Sequence, residues 1–524
     1  MLSIYYLHTF YKHLTKNYRK LVSNYLINVR YDMNILMIYP ETPLTFWSFK
    51  DALKFVGKKS AEPPLGLLTV AGMLPKEWNK KLIDMNVSVL KDKDILWADY
   101  VFLSGMTVHA GAAKDIIRKC NRLGAKIVAG GPLFTTQYQD FLGVDYFVLN
   151  EAEYTLPLFL NDLEQGEAKH IYTTEEFPEI SLAAMPMWEL LDQKKYASLS
   201  LQYSRGCPYD CDFCSITVLN GRRPRTKEWG QFVGELNRIY ELGFRGDISL
   251  VDDNFIGNKK KLKSEILPAL IEWQKKKKYP FHFITEVSIN LADDEELMDL
   301  MVDAAIYSIF IGIETPNNDS LEECGKTQNQ RRDLVQSVKK LQNRGFLVSG
   351  GFIIGFDNDP SDIFDQQIKF IAKSGIVNAM VGLLNAPSGT HLFKRMKKEN
   401  RLLESWSGNN MDGATNFIPK MKYHDLIKGY TKIIDTIYSP KVYYARIKSL
   451  LEEYHIPKWK TEIISIRELK AFFKLIWFIG ILDKGKTYFW KTFILSLLKY
   501  PKKFPLAMTY AVYGYHYRRV AAML

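Results

Sequence analysis

Two successive stretches of alternating apolar strands and amphipathic helices restrict this chain to an α/β architecture. In the first stretch, helical segments separate five short apolar runs, at 34–39, 82–87, 100–105, 126–130 and 145–149. Buried strands joined by crossover helices form parallel sheets that are covered on both faces. This stretch therefore predicts a doubly wound Rossmann-type domain over 33–165, with a ligand site beyond the carboxyl ends of its strands.

The second stretch contains six further candidate strands, at 199–204, 247–252, 281–286, 307–313, 347–354 and 377–382. Six strand–helix units are too few for a closed eight-stranded barrel, so they predict a partial (βα)6 barrel over 197–400, with its site at the carboxyl ends of the strands. Residues 166–196 connect the two domains. The alternation then stops, and 401–524 is predicted to be a helical region that ends in a basic, aromatic tail.

Size, charge and cysteine content narrow the class of protein. A chain of 524 residues exceeds one ordinary core, and its formal charge of +12 favours an anionic partner. The five cysteines do not form the spaced pattern of a disulfide framework, which indicates a reducing, cytoplasmic location. Residues 1–32 are aromatic and basic without a signal-peptide pattern, and we interpret them as an N-terminal extension. No G-x-G-x-x-G follows the first strand, which disfavours a dinucleotide site.

Three of the cysteines, Cys207, Cys211 and Cys214, lie within eight residues at the end of the first barrel strand. Thiolates at this spacing can wrap one loop around a 4Fe–4S cluster, which normally takes four ligands. The missing fourth ligand leaves one iron open for a substrate or cofactor. A structural zinc site is the alternative, but it needs a fourth protein ligand, and no histidine adjoins the loop. We interpret Cys120 and Cys324 as ordinary packed thiols.

The pattern C-x-x-x-C-x-aromatic-C after a strand resembles the signature of the radical S-adenosylmethionine (SAM) superfamily. Phe213 holds the aromatic position, which in that superfamily lies beside the adenine of SAM. The resemblance implies that the open iron chelates SAM and that an electron from the cluster cleaves it to a 5′-deoxyadenosyl radical. It also implies SAM contacts at successive strand ends, for which the candidates are Asp252, Asp253, Glu286, Ser288, Glu314, Gly351 and Gly355. Taken alone, a buried acid at a strand end is more often a structural hydrogen-bonding residue.

A doubly wound domain ahead of such a barrel resembles the cobalamin-binding radical SAM class. Within that class, the stretches 221–227, 251–258 and 312–317 most resemble the hopanoid-methylase group. In that class cobalamin lies between the two domains. The residues that would contact it follow the third, fourth and fifth strands and are Ser104, Gly105, Thr107, Gly130, Gly131, Asn150 and Glu151. The D-x-H-x-x-G pattern that supplies a cobalt ligand is absent, and we interpret His109 as a helix-start side chain. A domain that kept the fold and lost the cofactor is the alternative.

The resemblance implies an enzyme that uses the 4Fe–4S cluster, SAM and cobalamin to methylate an unactivated carbon, for example of a polycyclic or isoprenoid lipid. An electron donor such as ferredoxin or flavodoxin would supply the reducing equivalents. Three alternatives remain open: a radical SAM enzyme that forms carbon–carbon bonds or rings without methyl transfer, an RNA-modifying radical SAM enzyme, and an iron–sulfur-stabilised scaffold without activity.

The tail over 461–524 carries eleven Lys and Arg against three acidic residues, together with many aromatic residues. No run in it reaches the roughly 20 apolar residues of a spanning helix. Packing on the parent domain explains the aromatic residues. A peripheral contact with an anionic membrane, at the inner face of the membrane, explains both the aromatic and the basic residues. Because the charge lies among Phe, Trp and Leu, the pattern favours lipid over nucleic acid.

Overall fold

The computed structural model describes residues 32–403, 407–409, 413–457, 459 and 466–523. It contains two parallel sheets followed by a helical region. Nearly all of the predicted N-terminal extension, 1–32, lies outside the described residues.

The first sheet is parallel throughout, in the order β2-β1-β3-β4-β5-β6. Its strands are β1 Asn34–Tyr39, β2 Asn79–Asp84, β3 Tyr100–Ser104, β4 Lys126–Gly130, β5 Tyr146–Val148 and β6 Ile171–Tyr172. Its helices are α1 Lys50–Val56, α2 Leu65–Met73, α3 Asp92–Leu96, α4 Ala110–Arg122, α5 Pro132–Gln137 and α6 Ala152–Gln165. Alternate residues of β1 are buried in different cores, Ile35 on one face and Leu36 on the other, which is why the strand is apolar throughout.

Two details of the first domain differ from the sequence prediction. The connector contributes a sixth strand, β6, which pairs with β5 and was too short to recognise from its pattern. The second strand lies three residues earlier than predicted, because the chain turns after Asp84. The side chain of Asp84 accepts hydrogen bonds from Asn86, and its backbone carbonyl accepts one from the Ser88 N–H.

The second sheet is the predicted partial barrel, with six parallel strands in chain order and helices on its outer face. Its strands are β7 Leu199–Leu201, β10 Gly246–Leu250, β11 Phe281–Glu286, β12 Ile306–Glu314, β13 Leu347–Ile354 and β14 Ala379–Leu383. Its helices are α7 Ile216–Asn220, α8 Trp229–Glu241, α9 Leu267–Lys277, α10 Glu295–Asp303, α11 Asn318–Glu323, α12 Leu334–Arg344, α13 Ile363–Ser374 and α14 His391–Lys398. Helix α9 is preceded by one helical turn, Lys259–Lys261, and a π-helical segment, Leu262–Ile266.

The first barrel strand is shorter than predicted. It ends at Leu201, and the chain then forms β8 (Ser204–Arg205), which pairs antiparallel with β9 (Arg225–Thr226). The backbone N–H groups of Tyr203 and Ser204 donate to the buried carboxylate of Asp252 instead of continuing the sheet. This small hairpin frames the loop that carries the three cysteines.

Helices α15 Tyr423–Tyr438, α16 Pro440–Glu453, α17 Ile466–Leu475, α18 Lys486–Lys499 and α19 Phe504–Ala521 form the C-terminal region. A π-helical segment, Ile476–Leu482, continues α17. Helix α19 packs on α1, α15 and α16, and its residues Ala507, Tyr510 and Tyr517 are buried. In the described part of the chain, no helix has the length and apolar character needed to cross a membrane.

Candidate active site

The cysteine loop is tied to the end of β10 by hydrogen bonds. Asp253 accepts from the Gly206 N–H at 2.7 Å and from the side-chain amide of Asn220. Gly206 has φ +93°, and a Cβ there would lie 2.6 Å from the carbonyl oxygen of Arg223, so only glycine fits this turn. The loop therefore has one fixed path at the carboxyl ends of the barrel strands.

The three thiols of this loop lie within electrostatic range of one another and of Lys326. Burial raises the pKa of all three, that of Cys214 to about 12, and Lys326 acts in the opposite direction. Among the described residues, no three His, Cys, Asp or Glu side chains gather closely enough to hold a single metal ion. Cys207, Cys211 and Cys214 nevertheless lie on one loop, as a cluster with three protein ligands requires.

Three polar side chains next to the thiols were missed by the sequence analysis. The amide of Asn254 lies 4.0 Å from Cys207 Sγ, and that of Gln328 lies 3.9 Å from Cys211 Sγ. Lys326 Nζ donates to Glu314 Oε1 at 2.6 Å. Asn254 follows a strand end and could have been found there. Lys326 and Gln328 lie in an irregular segment after α11, which no sequence periodicity marks.

The acids predicted at the strand ends take different positions. Asp252 is buried beneath the loop, where its carboxylate accepts hydrogen bonds from the Tyr203 N–H and the Ser204 hydroxyl. The structure therefore gives Asp252 a role in holding the loop. Glu314 has φ +63° and faces Lys326. Gly312 makes this pair sterically feasible, because a Cβ there would lie 2.2 Å from Glu314 Oε1.

Glu286 faces the open interior of the barrel. Loss of hydration inside the barrel, together with the negative charges of Asp253 and Glu62, raises the pKa of Glu286 to about 7. Ser288 follows it, accepts from the Asn254 amide at 3.2 Å and donates to Asn290. Glu286 and Asp253 line the same cavity, whereas Ser288 belongs to the hydrogen-bond network beside Cys207.

The remaining predicted SAM contacts lie on the far side of the loop. The ring of Phe213 contacts that of Phe356, with centroids 6.2 Å apart. Gly351 allows the ring of Phe310 to approach, since a Cβ at Gly351 would lie 2.8 Å from it. Gly355 has φ +101°, and its N–H donates to Asp359. Phe213 and Gly355 thus lie near each other beside Phe356, whereas Gly351 lies within β13.

The predicted cobalamin contacts gather at the carboxyl edge of the first sheet. Ser104, Gly105 and Thr107 follow β3, and Gly130 and Gly131 follow β4. A Cβ at Gly130 would lie 2.5 Å from the carbonyl oxygen of Val148, and one at Gly131 would lie 2.3 Å from Ser104 Oγ. The neighbouring chain therefore requires glycine at both positions, and both glycines also line the cavity.

Two residues of this edge have structural partners. Glu151 is buried and binds two barrel arginines, Arg205 at 2.7 Å and Arg225 at 2.7 and 2.9 Å, so it joins the two domains, and it also lines the cavity. Asn150 has φ +62°, and its side-chain oxygen accepts from Thr173 and Thr174. Neither contact was foreseen from the sequence.

His109 is buried and both ring nitrogens have partners. The Met106 N–H donates to Nδ1 at 3.0 Å, and Nε2 lies 2.9 Å from Thr42 Oγ1. Burial lowers its pKa to about 4. His109 is thus a neutral structural side chain at the start of α4.

A cavity of about 2390 Å³ extends from the edge of the first sheet through the barrel interior to the C-terminal helices. Ser104, Gly131 and Asn150 line one end, and Asp253 and Glu286 line the middle. The residues fit the groups that such a cavity would hold. Three thiols on one loop suit a cluster with an open iron, and the cavity beyond the strand ends at Ser104, Gly130 and Gly131 has room for a large ligand.

Comparison with known proteins agrees with this geometry. Residues 59–160 match the B12 binding domain, 201–371 match the radical SAM superfamily, and 390–524 match a domain of unknown function (DUF4070). An uncharacterized methyltransferase of Synechocystis is 40% identical over 93% of this chain and 91% of its own length. The hopanoid C-2 methylase of Rhodopseudomonas palustris is 30% identical over 89% of each chain.

Among solved structures, the radical SAM methyltransferase TsrM from Kitasatospora setae, with cobalamin and a [4Fe-4S] cluster bound, aligns with a TM-score of 0.56. The alignment covers 76% of this chain and 85% of that chain at 15% sequence identity, and thus shows a shared fold.

Proposed function

Because this chain belongs to the B12-binding radical SAM methyltransferases, whose cofactors are SAM, a 4Fe–4S cluster and cobalamin, we propose that it methylates an unactivated carbon of a polycyclic or isoprenoid lipid. The size and lining of the cavity support this class of substrate. It is large, and apolar side chains such as Ile284, Phe310 and Leu506 form much of its wall. The similarity to a hopanoid methylase supports the same class.

The residues of this chain hold and orient the reacting groups. Cys207, Cys211 and Cys214 would bind the cluster, and Glu314 and Lys326 stand beside it to position the charged end of SAM. Ser104, Gly130 and Gly131 would lie against cobalamin. When bound, these cofactors supply the radical chemistry and the methyl carrier.

An RNA substrate is disfavoured by where the positive charge lies. The lysines of α17, α18 and the loop after them are outside the cavity, beside exposed apolar side chains. A polyanion bound for catalysis would need basic residues along the path to the cluster. Methyl transfer to a lipid requires that the lipid be bound in an apolar cavity, and the fold provides one.

We test the function with full-length protein, reconstituted anaerobically with cluster and cobalamin and given SAM labelled in its methyl group, a reductant and a bacterial lipid extract. We expect label in the apolar lipid fraction with wild type and none with Cys214→Ala. Label in RNA from a parallel incubation, or an unlabelled lipid fraction with a cluster that cleaves SAM, would contradict the lipid proposal.

The C-terminal hairpin, defined as residues 466–503, supports a peripheral membrane contact. Its exposed side chains include large apolar groups: Phe473 is 65% exposed, Trp477 56% and Leu498 77%. It has eight lysines and one arginine against two acidic residues. Lys474, Lys486 and Lys503 donate to backbone carbonyls rather than to carboxylates. Apolar side chains beside lysines match an anionic headgroup region, where each basic residue contributes about 1 kcal/mol.

Cosedimentation with anionic vesicles tests this contact. We expect binding that high salt weakens and that Trp477→Ser with Leu498→Ser reduces strongly. Leu142→Ser is the matched control, because Leu142 is 88% exposed but lies on the first domain. Equal vesicle binding by the hairpin variant and wild type would refute the assignment of the contact to this hairpin.

A further inference from the structure

A group of polar side chains lies at the opposite end of the barrel interior from the cysteines. It comprises Asp247, His282 and Tyr307, one near the start of each of the strands β10, β11 and β12. The Tyr307 hydroxyl donates to Asp247 Oδ1 at 3.2 Å, and His282 Nδ1 lies 3.7 Å from the same oxygen. We call these three residues the basal group.

The basal group lines the same cavity as Asp253 and Glu286. Side chains two residues apart on a strand share a face, so His282, Ile284 and Glu286 form one continuous row along the interior. From Asp247 to the strand end at Asp252 the chain advances five residues, about 16 Å at the usual rise of a strand. This length matches a rigid polycyclic skeleton rather than a small metabolite.

The interior of a closed barrel is normally packed with layers of bulky branched side chains. Here the inward positions near the base are polar, with Ser308 and Ser349 beside the basal group. The indole of Trp459 stacks on His282, with ring centroids 5.1 Å apart, and forms a flat aromatic wall. Structural packing does not require an acid, an imidazole and a phenol at one end of an otherwise largely apolar cavity.

We propose that the basal group binds a terminal hydroxyl of an elongated amphiphilic substrate, whose apolar body fills the barrel and whose far end lies at the cluster. A carboxylate offers about four acceptor positions, of which the Tyr307 hydroxyl uses one, so Asp247 has capacity to accept from a ligand. This inference rests on the proposed lipid substrate and adds the direction in which it binds. The cavity also reaches Phe472 and Phe504 of the C-terminal helices.

Binding of two probes to the reconstituted full-length protein tests the proposal. The probes are a radiolabelled pentacyclic triterpene alcohol and the hydrocarbon of the same skeleton, both delivered from cyclodextrin and measured by equilibrium dialysis. We expect wild type to bind the alcohol about tenfold more tightly, the effect of one or two net hydrogen bonds. Asp247→Leu, which removes both acceptor oxygens, and His282→Phe should lose this preference and bind the hydrocarbon as before. Asp303→Asn, at an exposed site outside the cavity, should keep it.

Retention of the tenfold preference by Asp247→Leu, or its absence in wild type, would overturn the inference while leaving the lipid substrate intact. Failure of both probes to bind wild type would overturn the inference and the proposed substrate class together. A photoreactive diazirine at the polar end of the alcohol tests direction. Labelling near Trp459 or Tyr279 supports the proposal, and labelling of the loop 207–214 refutes it.

Discussion

Replacing Arg225 by methionine tests whether the ion pairs between the two domains hold the cavity walls together. The side chains of Arg225 and Glu151 are 4% and 7% exposed, and two hydrogen bonds of 2.7 and 2.9 Å join them. Removing one partner of a buried ion pair costs about 3–5 kcal/mol, because the other charge stays buried. Arg205 remains bound to Glu151, so we expect a loss near the lower limit, about 3 kcal/mol.

The assay is urea unfolding of Arg225→Met, Glu151→Gln and the double variant, with bound cobalamin measured in parallel. We expect a coupling energy of about 2 kcal/mol between the two sites and a lower cobalamin content in each single variant. Arg223→Met is the control, since Arg223 lies in the same segment but is 82% exposed, and should change stability by about 0.5 kcal/mol or less. A coupling energy near zero would show that the pair does not hold the domains together.

Three further predictions concern the cofactors and the first domain. Alanine at any one of Cys207, Cys211 and Cys214 should abolish the cluster absorption and SAM cleavage, whereas Cys120→Ala and Cys324→Ala should keep both. Full SAM cleavage by a variant of any of the three loop cysteines would contradict this. Met106→Trp should lower cobalamin retention, because Met106 lines the cavity and is 56% exposed, while Leu142→Trp should not. Because the pKa of His109 is lowered from 6.5 to about 4 in the folded protein, the unfolded chain takes up a proton there at a higher pH than the folded protein does. The contribution of His109 to the free energy of unfolding is therefore fully present above pH 6.5 and is lost as the pH falls toward 4. Urea midpoints at pH 7 and pH 5 should differ in wild type more than in His109→Asn, and equal differences would refute the assignment.

The sequence predicted the elements that depend on local patterns. The strands read as apolar runs because both faces of each sheet are covered, and the cysteine spacing marked the loop at the first barrel strand end. It did not predict the partners of the polar residues. Glu151 was predicted to contact cobalamin, and its ion pair with Arg225, 74 positions further along the chain, was not predicted. Such a contact depends on how two domains dock, which no local pattern encodes.

The glycine pair shows why a residue assigned to a ligand must also be examined for its fold. Valine at Gly130 or Gly131 would be expected to block cobalamin. In the structure a Cβ at Gly130 would meet the backbone of β5 at 2.5 Å, and Gly131 has φ +88°. Both substitutions would disturb the sheet edge itself, so loss of cobalamin would not identify a contact. Met106→Trp avoids this ambiguity because its side chain already projects into open space.

The two explanations of the basic, aromatic tail apply to different helices. In α19 the aromatic residues Tyr510 and Tyr517 are buried against the barrel and α1, so packing explains them. In the C-terminal hairpin Phe473 and Trp477 are exposed beside lysines, so packing does not explain them. Truncation after about 460 would remove both parts and expose a core, so its effect on vesicle binding could come from unfolding. Point variants confined to the hairpin separate the membrane contact from the stability of the fold.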